Sequence, residues 1–523
     1  LVAFLPGFWG SFLPGDDVDA VLNNPVLRSF DGLVRLWFNP LSVADAESHY
    51  WPLTYTSFWL EAHLWGLHAG SLIAVNVLLH AANTVLFWRI LRVLEVPGAV
   101  IAAALFAVHP TRVESVAWVI ERKDVLCGFF ALAGLLTHLM AGEGRRWLRV
   151  AAVFLFAASL LCKSASIGLP VVIAMIGWWR GKSPSAVFRE ALPFAVVGVL
   201  ITAFDLWLLS QVDAYDSGAG LGGRALRAAE NFGFYGVNLL IPLRLAWIYP
   251  PSFGLLRQVL QWVFVLGFAT LVAIGWRQRA VMVGLGVFVV GVLPVLGLVD
   301  FGYLRIAPVA DRYTYLAAGG LFALIGAALS RPKLLPIAAT LVVLCGGLTF
   351  TRARLFTQPE ALLRESLTAN PDSWFANSLL GSLLVEQNRL DDARPLLERS
   401  LRAAPTNIVA QQNLAVIYLR QQRTAEALAI LEQLRRAKLT PLQEASVLQN
   451  FANAAFLVGR LQEGRYAMAR AVALNPASAS ARIQFAYMLM QLGEREKARE
   501  EAKAGLRLAP GDATGEAIRD RLK

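Results

Sequence analysis

Between residues 67 and 350 the chain alternates long apolar stretches with brief polar interruptions. Ten stretches read as membrane helices: 67–92, 97–116, 125–141, 147–162, 165–179, 187–209, 259–276, 280–299, 313–329 and 333–350. Several are shorter than the about 20 residues that cross a hydrocarbon core, so kinked helices or ends below the surface are expected. Residues 1–9 (LVAFLPGFW) are apolar but too short to cross alone. They read as the stump of a truncated first helix, which makes eleven, and no positive n-region or cleavage signature marks them as a signal peptide. Segment 225–249 is aromatic and apolar but holds Arg227, Glu230, Asn231, Asn238 and Arg244. Lying on or re-entering the membrane suits it better than crossing.

After residue 351 the pattern changes to short amphipathic segments with a fixed period. Pro371, Pro405, Pro441, Pro476 and Pro510 follow one another at intervals of 34, 36, 35 and 34 residues. A period near 34 is the signature of tetratricopeptide helix pairs. Small and apolar residues recur in register: Leu380, Gly381, Ala393 and Leu397 in 374–407; Leu414, Ala415, Ala427 and Leu431 in 408–441; Phe451, Ala452, Gly464 and Met468 in 445–478; Phe485, Ala486, Ala498 and Ala502 in 479–512. Segment 355–369 reads as the second helix of a partial leading repeat. The predicted fold is all-α: a polytopic membrane domain over 1–351, then a tetratricopeptide-repeat solenoid over 352–523. Such a solenoid offers a groove for an extended peptide or a partner protein; the plain alternative is a rigid spacer.

Charge follows the same boundary. Residues 1–351 carry 24 Lys/Arg and 19 Asp/Glu, whereas the tail, half as long, carries 24 and 18; 14 of the 15 Trp precede residue 352. The net charge of +11 divides almost evenly between the parts. It forms no concentrated basic face, which excludes a nucleic-acid reader. Cys127, Cys162 and Cys345 sit in apolar runs and read as inert packing. The turns of the membrane block fall into two sets. One is short and basic: Arg89/Arg92, Arg145/Arg146/Arg149, Arg180/Lys182/Arg189, Arg277/Arg279 and Arg331/Lys333. The other is long and mixed, and holds 15 of the 19 acids. The positive-inside rule makes the short basic turns cytoplasmic. The long loops and the repeat tail then face the periplasm or lumen, and a bacterial inner membrane is the expected location. So many spans imply a transporter or an enzyme on a lipid-linked substrate rather than an anchor.

The long loops hold the candidate chemistry. Asp16-Asp17 follows the stump, and paired carboxylates at a membrane surface serve as a general base, hold a divalent metal, or form a solvated acidic turn. Segment 109–124 is denser: His109, Arg112, Glu114, Glu121, Arg122, Lys123 and Asp124 stand between two apolar spans. If helical, it places Glu114, Trp118, Glu121 and Arg122 on one face. Lys163 interrupts two apolar stretches, and Arg312 opens another span beside Asp311 and Tyr313. Both cations could receive a phosphate, with snorkelling or a salt-bridged helix start as the bland readings. No glycine-rich phosphate loop stands between a strand and a helix.

Several of these motifs together resemble the transmembrane and tetratricopeptide repeat-containing O-mannosyltransferases and their bacterial relatives, within the GT-C glycosyltransferases. The resemblance is carried by HP-x-x-VE-x-VAW-x-x-ERKD at 109–124, Tyr50-Trp51-Pro52-Leu53-Thr54, LWGLH at 64–68, NVLLHAAN at 76–83, CKS-x-x-x-GLP at 162–170 and ADRYTYL at 310–316. It implies transfer of mannose or another hexose from a polyprenyl (dolichyl-type) phosphate to Ser/Thr of an exported protein. The transfer would be a single inverting displacement, with the repeats recruiting the acceptor. Asp16 or Asp17 would be the catalytic base. Arg112, Arg122, Lys123, Lys163 and Arg312 would hold the donor phosphate. His109, Glu114, Glu121, Asp124 and Tyr313 would position sugar or acceptor. No cofactor is implied with certainty, and a divalent metal stays open. The alternative is a non-catalytic membrane-anchored scaffold whose repeats assemble envelope complexes; a third reading, a flippase, would need midplane charges, of which only Asp205 comes near.

Overall fold

The computed structural model describes residues 1–43, 49–141, 145–212 and 218–522, and within them every regular element is a helix. Asp45, Glu47, Asp213 and Asp216, among the acids of the long loops, lie outside the described residues. The chain divides into two compact units, Leu1–Leu22 with Val26–Asn370, and Pro371–Lys523 with Asn23–Pro25. One unbroken helix, Leu335–Phe356, runs through residue 351.

Among the described residues, five helices of the first unit are long and apolar enough to cross a membrane: Ala69–Val93, Arg122–Met140, Pro184–Gln211, Leu255–Gly275 and Pro332–Phe356. A sixth arises if Ala99–Val108 and Pro110–Ala117 form one span bent by 54°. The eleven spans expected from apolar runs are thus not eleven full-length helices. Pro110 has no N–H to continue the helix and its ring clashes with the preceding turn, so the 97–116 run breaks there. Ser164–Trp179, Arg279–Val295 and Ala318–Leu329 are apolar but short. The stretch 2–9 is a 3-10 helix lying against Ala69–Val93 and Leu335–Phe356. Leu221–Leu240 lacks the apolarity of a span, as its charges foretold.

Backbones approach closely where small residues meet. A Cβ on Gly320 would stand 2.1 Å from the Gly284 carbonyl oxygen, and this fixes Ala318–Leu329 against Arg279–Val292. Large apolar residues such as Leu78, Phe154, Val199, Leu266 and Val343 are exposed along the helices. So broad an apolar exterior suits lipid, not water.

The two sets of turns gather at opposite ends of the helices. At one end, Arg180 Nη2 donates to the Val93 carbonyl at 2.9 Å, Arg279 Nη1 donates to that of Trp178 at 3.1 Å, and His138 lies 3.7 Å from Glu190. These contacts join the turns near 93, 140, 180 and 278. At the other end Asp17, Glu121, Lys163 and Arg312 meet.

The second unit is four helix pairs: Trp374–Glu386 with Leu390–Ala403, Ile408–Arg420 with Thr424–Leu434, Pro441–Leu457 with Leu461–Leu474, and Ala479–Gln491 with Arg495–Leu508, closed by Ala513–Arg521. The first helix of each pair starts on a side chain that accepts its N-terminal N–H: Ser373, Asn407, Thr440 and Ser478, with Asp512 doing so for the last helix. Thr440 and Gln443 form a reciprocal capping box. Most register residues read from sequence lie in the core: Ala415, Leu431, Phe451, Ala452 and Met468 are 0% exposed, and Phe485 packs against it partly buried. Gly381 lets the first pair close, since a Cβ there would stand 2.6 Å from Leu397 Cδ2.

Candidate functional site

Gly15, at φ +88°, turns the chain into the short helix Val18–Leu22 and presents the two aspartates differently. Asp16 is exposed. Asp17 is fully buried: its Oδ2 accepts the Leu13 N–H at 2.9 Å and its Oδ1 accepts that of Ile120 at 2.8 Å. The second carboxylate thus ties the first loop to segment 109–124. Burial pushes the Asp17 carboxyl up to about 7, against the two N–H donations that lower it; Asp16 and Glu121 add to the rise.

Segment 109–124 is not one helix. A 3-10 turn (Pro110–Arg112) leads into Val113–Ala117, four irregular residues follow, and Arg122 starts Arg122–Met140. Every residue from His109 to Arg122 is buried. The break sends the charges in different directions. Glu121 faces three cations: Lys123 Nζ and Arg312 Nε lie 3.4 and 3.3 Å from its Oε1, and Lys163 Nζ lies 3.2 Å from its Oε2. Lys163 Nζ also donates to Asp124 at 2.6 Å, and Asp124 accepts the Ser115 hydroxyl at 2.8 Å. Glu114 pairs with the Arg312 guanidinium and accepts its backbone N–H at 3.1 Å. Burial acts to raise the Glu121 carboxyl, but Lys123, Lys163 and Arg312 together hold it well below the usual carboxylate range. Burial acts to lower the Lys163 ammonium, and Asp124 and Glu121 overcome it and hold it above its ordinary value.

Aromatic rings wall the cluster. The Arg312 guanidinium lies 4.2, 5.0 and 5.4 Å from the Tyr303, Tyr313 and Trp118 rings; Lys163 Nζ lies 5.8 Å from Tyr313 and Lys123 Nζ 5.2 Å from Trp51. Of the expected residues, Asp17, Glu114, Glu121, Lys123, Asp124, Lys163, Arg312 and Tyr313 are brought together.

Arg112 and Arg122, expected at the donor phosphate, and His109, expected to position sugar or acceptor, lie apart from the cluster. Arg122 points away, pairing with Glu61 and Asn76, donating to the Leu72 carbonyl at 2.7 Å and lying 5.0 Å from the Phe58 ring. It joins Pro52–Leu64 to Ala69–Val93. Arg112 donates to the Thr314 and Tyr315 carbonyls at 3.1 and 2.6 Å and to the Thr111 hydroxyl at 2.9 Å. His109 is taken up by the Thr111 hydroxyl at 2.9 Å and by the Phe322 ring. Both arginines are 0% exposed. The expected shared face of Glu114, Trp118, Glu121 and Arg122 fails only at Arg122, because the helix does not run through 118–121.

Sequence reasoning missed two supporting groups. Asp205 accepts the Tyr50 N–H at 2.7 Å and the Ser164 hydroxyl at 2.7 Å, and meets His49 Nδ1 at 3.3 Å. Asp311 accepts from Asn238 at 2.6 Å and from the Tyr249 hydroxyl at 2.8 Å. The signal for Asp205 was a lone acid in an apolar run. For Asp311 it was the neighbouring Arg312 motif. Among the described residues, no three of His, Cys, Asp and Glu come together as metal ligands.

With this geometry in place, comparison with known proteins locates the chain. Two tetratricopeptide-repeat family models match residues 347–408 and 384–445, so the C-terminal region carries such repeats. The chain is 34% identical to human "Protein O-mannosyl-transferase TMTC3" over 173 residues, 31% of this chain and 19% of that protein. It is 27% identical to mouse "Protein O-mannosyl-transferase TMTC4" over 474 residues, 74% of this chain and 63% of that protein. The matches therefore span from about a fifth to under two thirds of these relatives. The family resemblance read from the motifs is borne out by relatives that bear its name. The structure of Pseudomonas aeruginosa pilF aligns with 32% of this chain and 74% of that chain, at 19% identity and a TM-score of 0.28.

Proposed function

We propose that this chain is a membrane glycosyltransferase. It moves a hexose, mannose by resemblance, from a polyprenyl phosphate to a Ser or Thr hydroxyl of an exported protein. The observation that carries the reading is the gathering of Lys123, Lys163 and Arg312 around Glu121, with Asp17 holding the Asp16 loop to the same segment. The relatives' names supply the reaction class.

In this mechanism Asp16, exposed on the anchored turn, removes the acceptor hydroxyl proton. The oxygen attacks the anomeric carbon, the bond from that carbon to the phosphate oxygen breaks, and the configuration inverts. The electron pair leaves with the lipid phosphate, whose charge rises from one to two. Lys123, Lys163 and Arg312 stabilise that rise in a site kept dry by the surrounding rings. Glu114, Glu121 and Asp124 hold the three cations in place, and Tyr313 borders the sugar. Asp17 is a positioning residue. Arg112, Arg122 and His109 brace the frame. The positive-inside reading puts the site on the periplasmic or lumenal side of a bacterial inner membrane, and the repeats recruit the protein acceptor.

The test is a transfer assay on the full natural chain in lipid vesicles, with labelled polyprenyl-phosphate mannose and exported proteins as acceptors. Wild-type protein is expected to label Ser/Thr, and Asp16→Asn to lose about 10²-fold or more of the rate. A wild-type protein that leaves the donor intact with every acceptor overturns the reading.

A further inference from the structure

The cations of the cluster are already matched. Lys123, Lys163 and Arg312 stand against Glu114, Glu121 and Asp124, three against three. An arriving phosphate shares these three cations with the acids, so neutral donors beside them add to its binding.

Two indole N–H groups border this cluster, and among the described residues neither Trp51 Nε1 nor Trp118 Nε1 meets an acceptor. Both residues are buried, at 8% and 4% exposure. A buried indole ordinarily finds a partner. The two are linked through one atom. Lys123, over Trp51, and Arg312, over Trp118, both reach Oε1 of Glu121. The two rings therefore flank the two cations that meet at a single carboxylate oxygen.

Neighbours fix each ring. Trp51 stacks on His49, with centroids 4.2 Å apart and planes 2° apart, and His49 is held by Asp205. Trp118 meets Trp247 edge-on at 5.2 Å, and its carbonyl accepts Asn76 Nδ2 at 3.2 Å. Their orientation is thus set before any ligand arrives, as preorganised donors require.

We infer that Trp51 and Trp118 donate their indole N–H groups to the phosphate oxygens of the lipid-linked sugar. This rests on the reading of the site as a polyprenyl-phosphate sugar site. The interaction strengthens as the phosphodiester monoanion becomes the leaving monoester dianion, so it favours the transition state over the bound donor. Trp88, a further indole without an acceptor, lies 12 residues beyond Asn76 on Ala69–Val93, about 18 Å along the helix, and serves as the control.

The experiment uses the full chain in lipid nanodiscs and measures binding of polyprenyl phosphate and of polyprenyl-phosphate mannose. Phe at each position keeps the ring and removes the N–H. Trp51→Phe and Trp118→Phe are each expected to weaken binding of polyprenyl phosphate about tenfold, and binding of the sugar-loaded donor less. Trp88→Phe is expected to bind as wild type. Thermal unfolding without ligand checks that each variant is folded. Where one is not, the wild-type indole 15N–1H resonances replace it, and the inference requires two to shift downfield on addition of polyprenyl phosphate. Wild-type affinity in both folded variants, or no shifted indole resonance in a wild-type protein that binds the lipid, overturns the inference and leaves the functional reading standing. A wild-type protein that binds neither lipid overturns the functional reading, and the inference with it.

Discussion

Asp16 and Asp17 are neighbours in sequence with opposite fates: one stays in solvent and the other spends both oxygens on backbone N–H groups. The difference has a pH signature. Native Asp17 holds its proton to about pH 7, whereas an exposed carboxyl releases it near 3.8. Its contribution to stability is therefore fully present below about pH 4 and is lost as pH rises to about 7. The thermal midpoint of wild type is expected to fall more steeply over that window than that of Asp17→Asn; parallel slopes contradict this. Arg122 and Glu61 form a buried pair with 1% and 6% of their side chains exposed. Arg122→Ala is expected to cost about 3–5 kcal/mol by leaving Glu61 uncompensated. The double change Arg122→Met/Glu61→Met is expected to recover most of it, and thermal unfolding of the three proteins decides. Residue types and spacing made the cluster's membership legible at Glu114, Glu121, Lys123, Asp124, Lys163 and Arg312. They could not show which way adjacent Arg122 and Lys123 point. That depends on where a helix starts, and four irregular residues before Arg122 set it.

The repeats were the most legible element. A period near 34 residues and small and apolar residues recurring in register are local signals that agree with one another. Two substitutions test their weight in the full chain. Gly381→Ala forces a Cβ into Leu397 and is expected to destabilise the repeats by about 1–3 kcal/mol. Thr440→Ala removes the capping box and is expected to cost about 1 kcal/mol. Denaturant unfolding followed at Trp374, with the other tryptophans replaced, reads both, and a Gly381→Ala protein as stable as wild type contradicts the packing described. The membrane helices were less legible because hydropathy reports apolar runs, not their breaks. Pro110 split one run, and the Asp311–Thr314 turn shortened another.

At the scale of the whole molecule, the charge asymmetry of the turns corresponds to two ends of the membrane unit, one basic and one holding the buried cluster. Single cysteines replacing exposed Ser183 and Gly302 in a chain without its own cysteines test the orientation. An impermeant thiol reagent applied from outside intact cells is expected to label position 302 and not 183; equal labelling contradicts it. The central claim, sugar transfer to exported proteins through Asp16, is tested most directly in the native host. The gene is deleted, then restored as wild type or as Asp16→Asn, and envelope proteins are compared by mass spectrometry. The account expects O-linked hexose on Ser/Thr to vanish on deletion, return with wild type and stay absent with Asp16→Asn. An unchanged O-hexose pattern in the deletion strain contradicts it.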